Sequence, residues 1–154
     1  MAVKRLTEVE EGAWVGFLHT HARVWREMER RLAKTGLSMA DYDCLVALEG
    51  AGKDGARMTE LAKRTTMSSG GFTRLADRLE RQGYIERRKC ATDGRGLLAA
   101  ITDEGRKALR RARATHLEDV REIFLGQLSE EDMLRLAEVW GRLGGSADPP
   151  PPNC

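Results

Sequence analysis

The chain has 154 residues, enough for one hydrophobic core, so a single compact domain with an appended interface is expected. Its 26 Lys and Arg stand against 24 Asp and Glu, and a formal net charge of +2 excludes bulk basicity as an argument for any partner. No apolar stretch reaches the length of a membrane span and Met1 to Thr7 lacks a signal-peptide core, so a cytoplasmic location is expected; three scattered cysteines make no disulfide framework.

Trp14, Leu18, His21, Trp25, Met28 and Leu32 recur at helical spacing and predict one long first helix that buries this stripe. His21 lies in the middle of the stripe and reads as a core histidine, whereas His19 lies off it. Two residues apart on a helix, these imidazoles diverge, and His116 has no acidic or cysteine partner at zinc spacing, so no metal site is expected. Cys44 sits in an apolar helical run and reads as a buried hydrophobe.

Met58 to Thr65 predicts a short helix with Met58, Leu61 and Ala62 on its apolar side. Thr66 and Met67 leave only a tight turn before a second helix, which Ser68 or Ser69 caps and Gly83 closes after Arg81; this is the spacing of a helix-turn-helix. In the second helix Phe72, Leu75, Ala76 and Leu79 fall at i, i+3, i+4 and i+7. The opposite face offers Ser69, Gly70, Thr73, Arg74, Asp77 and Arg78, the side chains placed to meet a nucleic acid. Gly70 and Gly71 each weaken a helix interior by about 1 kcal/mol against alanine. Two readings stand open: close backbone approach to a phosphate at the helix N-terminus, or a loose first turn without a task.

Tyr84 to Lys89 and Leu97 to Ile101 read as two short strands around the turn-rich Thr92, Asp93, Gly94, Arg95 and Gly96, which makes a hairpin. Helix-turn-helix plus hairpin is a winged helix. Thr102 then opens a long helix through Phe124, with Leu109, Ala112, Leu117, Val120, Ile123 and Phe124 as its apolar contacts. Ser129, with Asp132 three residues on, caps a last helix through Leu143, whose apolar face is Met133, Leu136, Ala137, Trp140 and Leu143. Together the terminal helices carry more apolar surface than one small winged helix covers. A dimer interface is the economical reading and a larger monomeric helical core the alternative. Gly144, Gly145 and the segment Ser146 to Cys154, with its four consecutive prolines, predict a disordered or extended tail.

Charge is unevenly distributed along this plan. Residues 1–56 hold 8 basic and 9 acidic side chains, 57–115 hold 15 and 7, and 116–154 hold 3 and 8. The middle third is therefore +8 between flanks of −1 and −5, which concentrates positive field on the winged-helix segment.

Leu61-Ala62, Thr73-Arg74, the run Leu79 to Arg87, and Asp93-Gly94-Arg95 leading to Ile101-Thr102 with Gly105-Arg106 resemble the MarR family of bacterial transcription regulators. The resemblance covers roughly residues 10–145 and implies a mainly α fold with a small β-hairpin wing. Residues 1–145 would be one MarR-type domain: 10–35 and 103–145 dimerisation helices, 37–102 the winged helix-turn-helix lobe, with 146–154 the tail. It further implies a homodimer whose two recognition helices enter successive major grooves of double-stranded DNA and whose wing arginines reach the minor groove. Arg95 takes the wing-tip role and Asp93 orients it through a salt bridge.

On this reading Lys63, Arg64, Arg87, Arg88 and Lys89 contact phosphates, while Ser69, Thr73, Arg74 and Arg78 contact base edges. The expected function is a repressor of a pseudo-palindromic operator, released by a small aromatic or anionic ligand. What resembles the family's ligand site is a pocket lined by Trp14, His21, Trp25, Met39, Tyr42 and Asp43; plain core and interface packing is the alternative for these six. Redox-sensing members use a cysteine near the start of the first helix, which this chain lacks, leaving Cys90 as the candidate for a thiol-responsive regulator. A winged helix used only for protein contact is the other alternative, but it gives no reason for a +8 middle third. No phosphate-binding glycine loop, nucleophile elbow or placed Cys/His pair occurs, so neither catalysis nor a cofactor is expected.

Overall fold

The computed structural model describes residues 4–65, 69–89 and 97–144. Helix α1 spans Glu8–Leu32 and starts at a capping box, in which the Glu10 amide donates to the Thr7 hydroxyl and the Glu10 carboxylate accepts from the Thr7 amide. A 3-10 turn, Ala33–Thr35, leads to α2 at Met39–Gly50, capped in the same manner by Ser38 and Asp41. Next come β1 (Ala56–Arg57), α3 (Met58–Arg64), α4 (Ser69–Arg81), β2 (Ile85–Lys89) and β3 (Leu97–Ile101). Helix α5 (Asp103–Ile123), a 3-10 turn at Leu125–Gln127 and α6 (Glu130–Arg142) complete the described chain. As the capping pattern predicts, Thr102 caps α5 and Ser129 with Asp132 forms the capping box of α6.

The fold is mainly helical with a small antiparallel sheet, and the sheet has one strand more than the expected hairpin. Strand order is β1-β3-β2, with Ile85 opposite Ile101, Lys89 opposite Leu97, and Ala56 opposite Ala99. The two-residue β1 is too short to show an alternating pattern. It is admitted because Gly55, at φ +76, runs against the Ala99 carbonyl: a Cβ there would lie 2.2 Å from that oxygen.

The core joins α2, α3, α4, the sheet and one face of α5, with Leu45, Leu48, Leu61, Leu79, Ala99, Leu109 and Ala112 fully shielded. The expectation that α1 buries its whole stripe needs correction. Only Met28 and Leu32, at the C-terminal end, are buried, while Trp14, Leu18, His21 and Trp25 are exposed on this single chain. His21 thus lies outside the core of the single chain; its ring stacks on Trp25 at 5.9 Å. The physical reason is reach: the lobe covers the last turns of α1, where Arg31 clamps it to α5 through Asp119 at 2.9 Å and Glu122 at 2.8 Å. Helix α6 has no buried residue, and Leu134 is 62% exposed.

The entry to α5 is the tightest joint. The Thr102 hydroxyl donates to the Gly83 carbonyl at 2.6 Å and accepts from the Gly105 amide, and the Thr102 amide donates to the Tyr84 carbonyl. A Cβ on Gly105 would stand 2.1 Å from that Tyr84 oxygen. Gly105→Ala gains about 1 kcal/mol of helix propensity but forces this joint apart, and overpacking of this kind costs about 1 to 3 kcal/mol. The variant is expected to unfold at lower urea concentration than the parent; an unchanged or higher midpoint would show that the joint yields freely.

Candidate nucleic-acid interface

Helix α4 is built to show one face and hide the other. Phe72, Leu75, Ala76 and Leu79 are buried in the lobe, while Gly70, Thr73, Arg74 and Arg78 are exposed. Its C-terminus closes as a Schellman motif: the Tyr84 amide donates to the Leu79 carbonyl, the Gly83 amide to the Glu80 carbonyl, and Gly83 adopts φ +73. A Cβ on Gly70 would meet nothing within 4 Å, so packing within the chain does not demand glycine at the helix entrance.

Two ion-pair systems fix this helix to its neighbours. Arg78 reaches Asp41 of α2 at 2.6 Å. Arg87, on β2, pairs with Asp77 at 2.8 Å and with Glu80, and its amide also donates to Glu80. Two guanidiniums read as DNA contacts from sequence therefore already have internal carboxylate partners. Arg88 is exposed and donates to the Lys53 carbonyl at 2.7 Å. Lys63 is exposed with Glu60 beside it at 3.2 Å, Arg64 is half-buried, and no ion pair forms to Arg74 among the described residues. Ser69 opens α4 and Lys89 ends β2. Asp93, Arg95 and Cys90 lie outside the described residues, as do Ser68 and the tail 146–154.

The six ligand-pocket candidates fall into two settings. Trp14, His21 and Trp25 belong to an exposed ring row on α1, which Phe17 links to Trp140 of α6 at 5.9 Å. Met39 and Tyr42 are buried on α2, where the Tyr42 ring lies 4.5 Å from that of His116 on α5. Desolvation raises the Asp43 carboxyl above its ordinary value against the pull of His116, and lowers His116 against the pull of Asp43 and Asp119. Sequence reasoning missed Asp41, His116 and Arg113, which pairs with Glu49 of α2, in this neighbourhood. The Ser38-x-x-Asp41 capping pattern was a readable signal for Asp41, although not for its link to Arg78. Cys44 is fully shielded, and burial pushes its thiol up to about 12, far from a reactive thiolate. Among the described residues no helix is long and apolar enough to cross a membrane.

Two helices close in sequence, α3 ending at Arg64 and α4 starting at Ser69 with one face buried, backed by a three-stranded sheet, define a winged helix-turn-helix protein. A family model described as the MarR family matches residues 35–96. The HTH-type transcriptional repressor YetL of Bacillus subtilis is 31% identical over 119 residues, 75% of this chain and 71% of that protein. AbsC, a MarR family transcriptional regulator from Streptomyces coelicolor, superposes with a TM-score of 0.84 at 30% identity, covering 93% of this chain and 97% of that one. Sco3205, a MarR family regulator from the same organism solved in complex with DNA, gives 0.85 at 29% identity over 97% of both chains. The chain belongs to the MarR family of transcriptional regulators and is not an enzyme.

The brace from β2 has a pH signature. The hydrogen bond from Arg87 holds the Glu80 carboxyl below its ordinary value. A folded-state pKa lowered in this way stabilises the fold above the unfolded value, and that stability is lost as pH falls through the folded one. Glu80→Gln is therefore expected to melt below the parent at neutral pH and to converge with it only in acid below the ordinary carboxylate range. A constant offset across the pH range would contradict the ion pair.

Proposed function

We propose that this chain is a homodimeric repressor that binds a pseudo-palindromic duplex through α4 of each subunit. The observation that carries the reading is the divided surface of α4, with its apolar face locked into the lobe and Thr73 and Arg74 exposed opposite. Lys63, Arg64, Arg88 and Lys89 capture phosphates by Coulomb attraction; Ser69, Thr73 and Arg74 then contact base edges in the major groove. Arg95, oriented by Asp93, enters the minor groove, where a narrow A·T-rich segment attracts its charge. Residues 37–102 form the DNA-binding lobe and the helices within 10–35 and 103–145 join two copies. The DNA complex of Sco3205 and the repressor role of YetL support the assignment by likeness.

The exposed row on α1 and α6 supports the dimer. Trp14 is 55% exposed, Phe17 45% and Trp25 44%, and they line one stripe with Trp140. Contiguous aromatic surface of this kind marks an interaction site, and a self-complementary patch on a symmetric protein joins two copies. A small aromatic or anionic ligand near Trp14, His21, Trp25, Met39, Tyr42 and Asp43 would alter the separation of the two α4 helices and release the operator. A difference of about 1 to 3 kcal/mol between the two states is enough.

A gel shift against the DNA flanking its own gene tests the reading, with random duplex as reference. Arg74→Ala is expected to cost about 1 to 3 kcal/mol on the specific site and much less on random DNA; equal losses would make Arg74 a phosphate contact. Phe17→Glu places a charge in the aromatic row and is expected to convert a dimer to a monomer in analytical ultracentrifugation. A parent protein that sediments as a monomer at micromolar concentration would remove the symmetric operator.

A further inference from the structure

Arg78 presents a contradiction that the DNA-reading assignment does not resolve. It lies one turn beyond Arg74 on the same exposed face of α4, and its side chain is 45% exposed, yet its guanidinium is held by Asp41 at 2.6 Å. Asp41 is 3% exposed. Its carboxylate also accepts from the Ser38 amide at 3.0 Å and the Ser38 hydroxyl at 2.7 Å. These two donors are neutral and belong to the start of α2, so Arg78 supplies the counter-charge. Releasing Arg78 would leave this buried carboxylate without a counter-charge, a larger loss than giving up a contact to a solvent-screened phosphate.

We propose that Asp41 is a positioning residue for DNA reading: it withholds Arg78 from phosphates and thereby fixes the register of α4 against α2. The proposal rests on the DNA-binding function above and deepens it. An arginine free at this place would bind any duplex, adding affinity without sequence information, because phosphate contacts position and base contacts specify. Held inward, it leaves the outer face of α4 to Thr73 and Arg74. The cross-tie also makes α2 the strut between the reading helix and α5, since the next residue along α2, Tyr42, packs its ring against His116.

Anisotropy titrations of the full chain over a salt series, on a duplex from its own upstream region and on a scrambled duplex of equal length, test this. Asp41→Asn is expected to steepen the slope of log K against log salt by about 1 on both duplexes, through the freed phosphate contact, and to lower the ratio of specific to scrambled affinity about tenfold, through the lost register of α4. Arg78→Gln is expected to leave the slope at the parent value, and the double variant D41N/R78Q to lose the gain seen in Asp41→Asn. A purely structural role would lower the melting temperature and both affinities without changing the slope, and that result in Asp41→Asn would overturn the proposal. If Asp41→Asn does not fold, Arg78→Gln decides alone: a slope shallower by about 1 would make Arg78 a phosphate contact and overturn it. A parent protein that binds neither duplex would overturn the DNA-binding function itself and the proposal with it, a result visible before any variant is made.

Discussion

Everything in the lobe depends on α4 serving two environments at once. Phe72, Leu75, Ala76 and Leu79 are buried against α2, α3 and the sheet, and each large apolar side chain so placed contributes about 1.5 to 3 kcal/mol. The helix therefore cannot rotate about its axis without exposing its own core face. What remains on the other side, Thr73 and Arg74, is presented in a fixed direction. Movement of that face must then be movement of the whole lobe.

Electrostatics refines this placement. The positive middle third of the chain does not lie open to a partner as a uniform patch. Arg87 is drawn onto Asp77 and Glu80, Arg78 onto Asp41, and Arg113 onto Glu49. These pairs tie β2, α2 and α5 to one another and to α4, and leave a smaller set of cations outward. Charge counted along the sequence overstates the charge available at a surface, because a guanidinium with a partly buried carboxylate beside it contributes little field beyond the pair.

Much of this was legible in the sequence because its signals are local. The period of Phe72 to Leu79, the serine and threonine caps at Thr102 and Ser129, and Gly83 after Arg81 each locate an element end or a buried face, and the observed elements follow them closely. Strand β1 escaped because two residues have no period. The fate of the α1 stripe escaped for a different reason: apolar spacing says that a face seeks cover and not what covers it, so His21 read as core yet stands exposed on the single chain, as does Trp14 on the same stripe. The Asp41–Arg78 tie spans 37 positions and has no sequence signature. The ligand-pocket candidates rested on the family resemblance, and they divide between the exposed row of α1 and α2, where Met39 and Tyr42 are buried and Asp43 is exposed.

The central claim is that the helix which closes each lobe also presents its outer face to a groove, and that it does so twice in a symmetric pair. Hydroxyl-radical footprinting on the duplex upstream of its own gene tests this most directly. The account predicts two protected patches on one face of the duplex, related by a dyad and centred about 10 base pairs or a multiple of that apart. A single patch without a dyad, or no protection at saturating protein concentration, would contradict it.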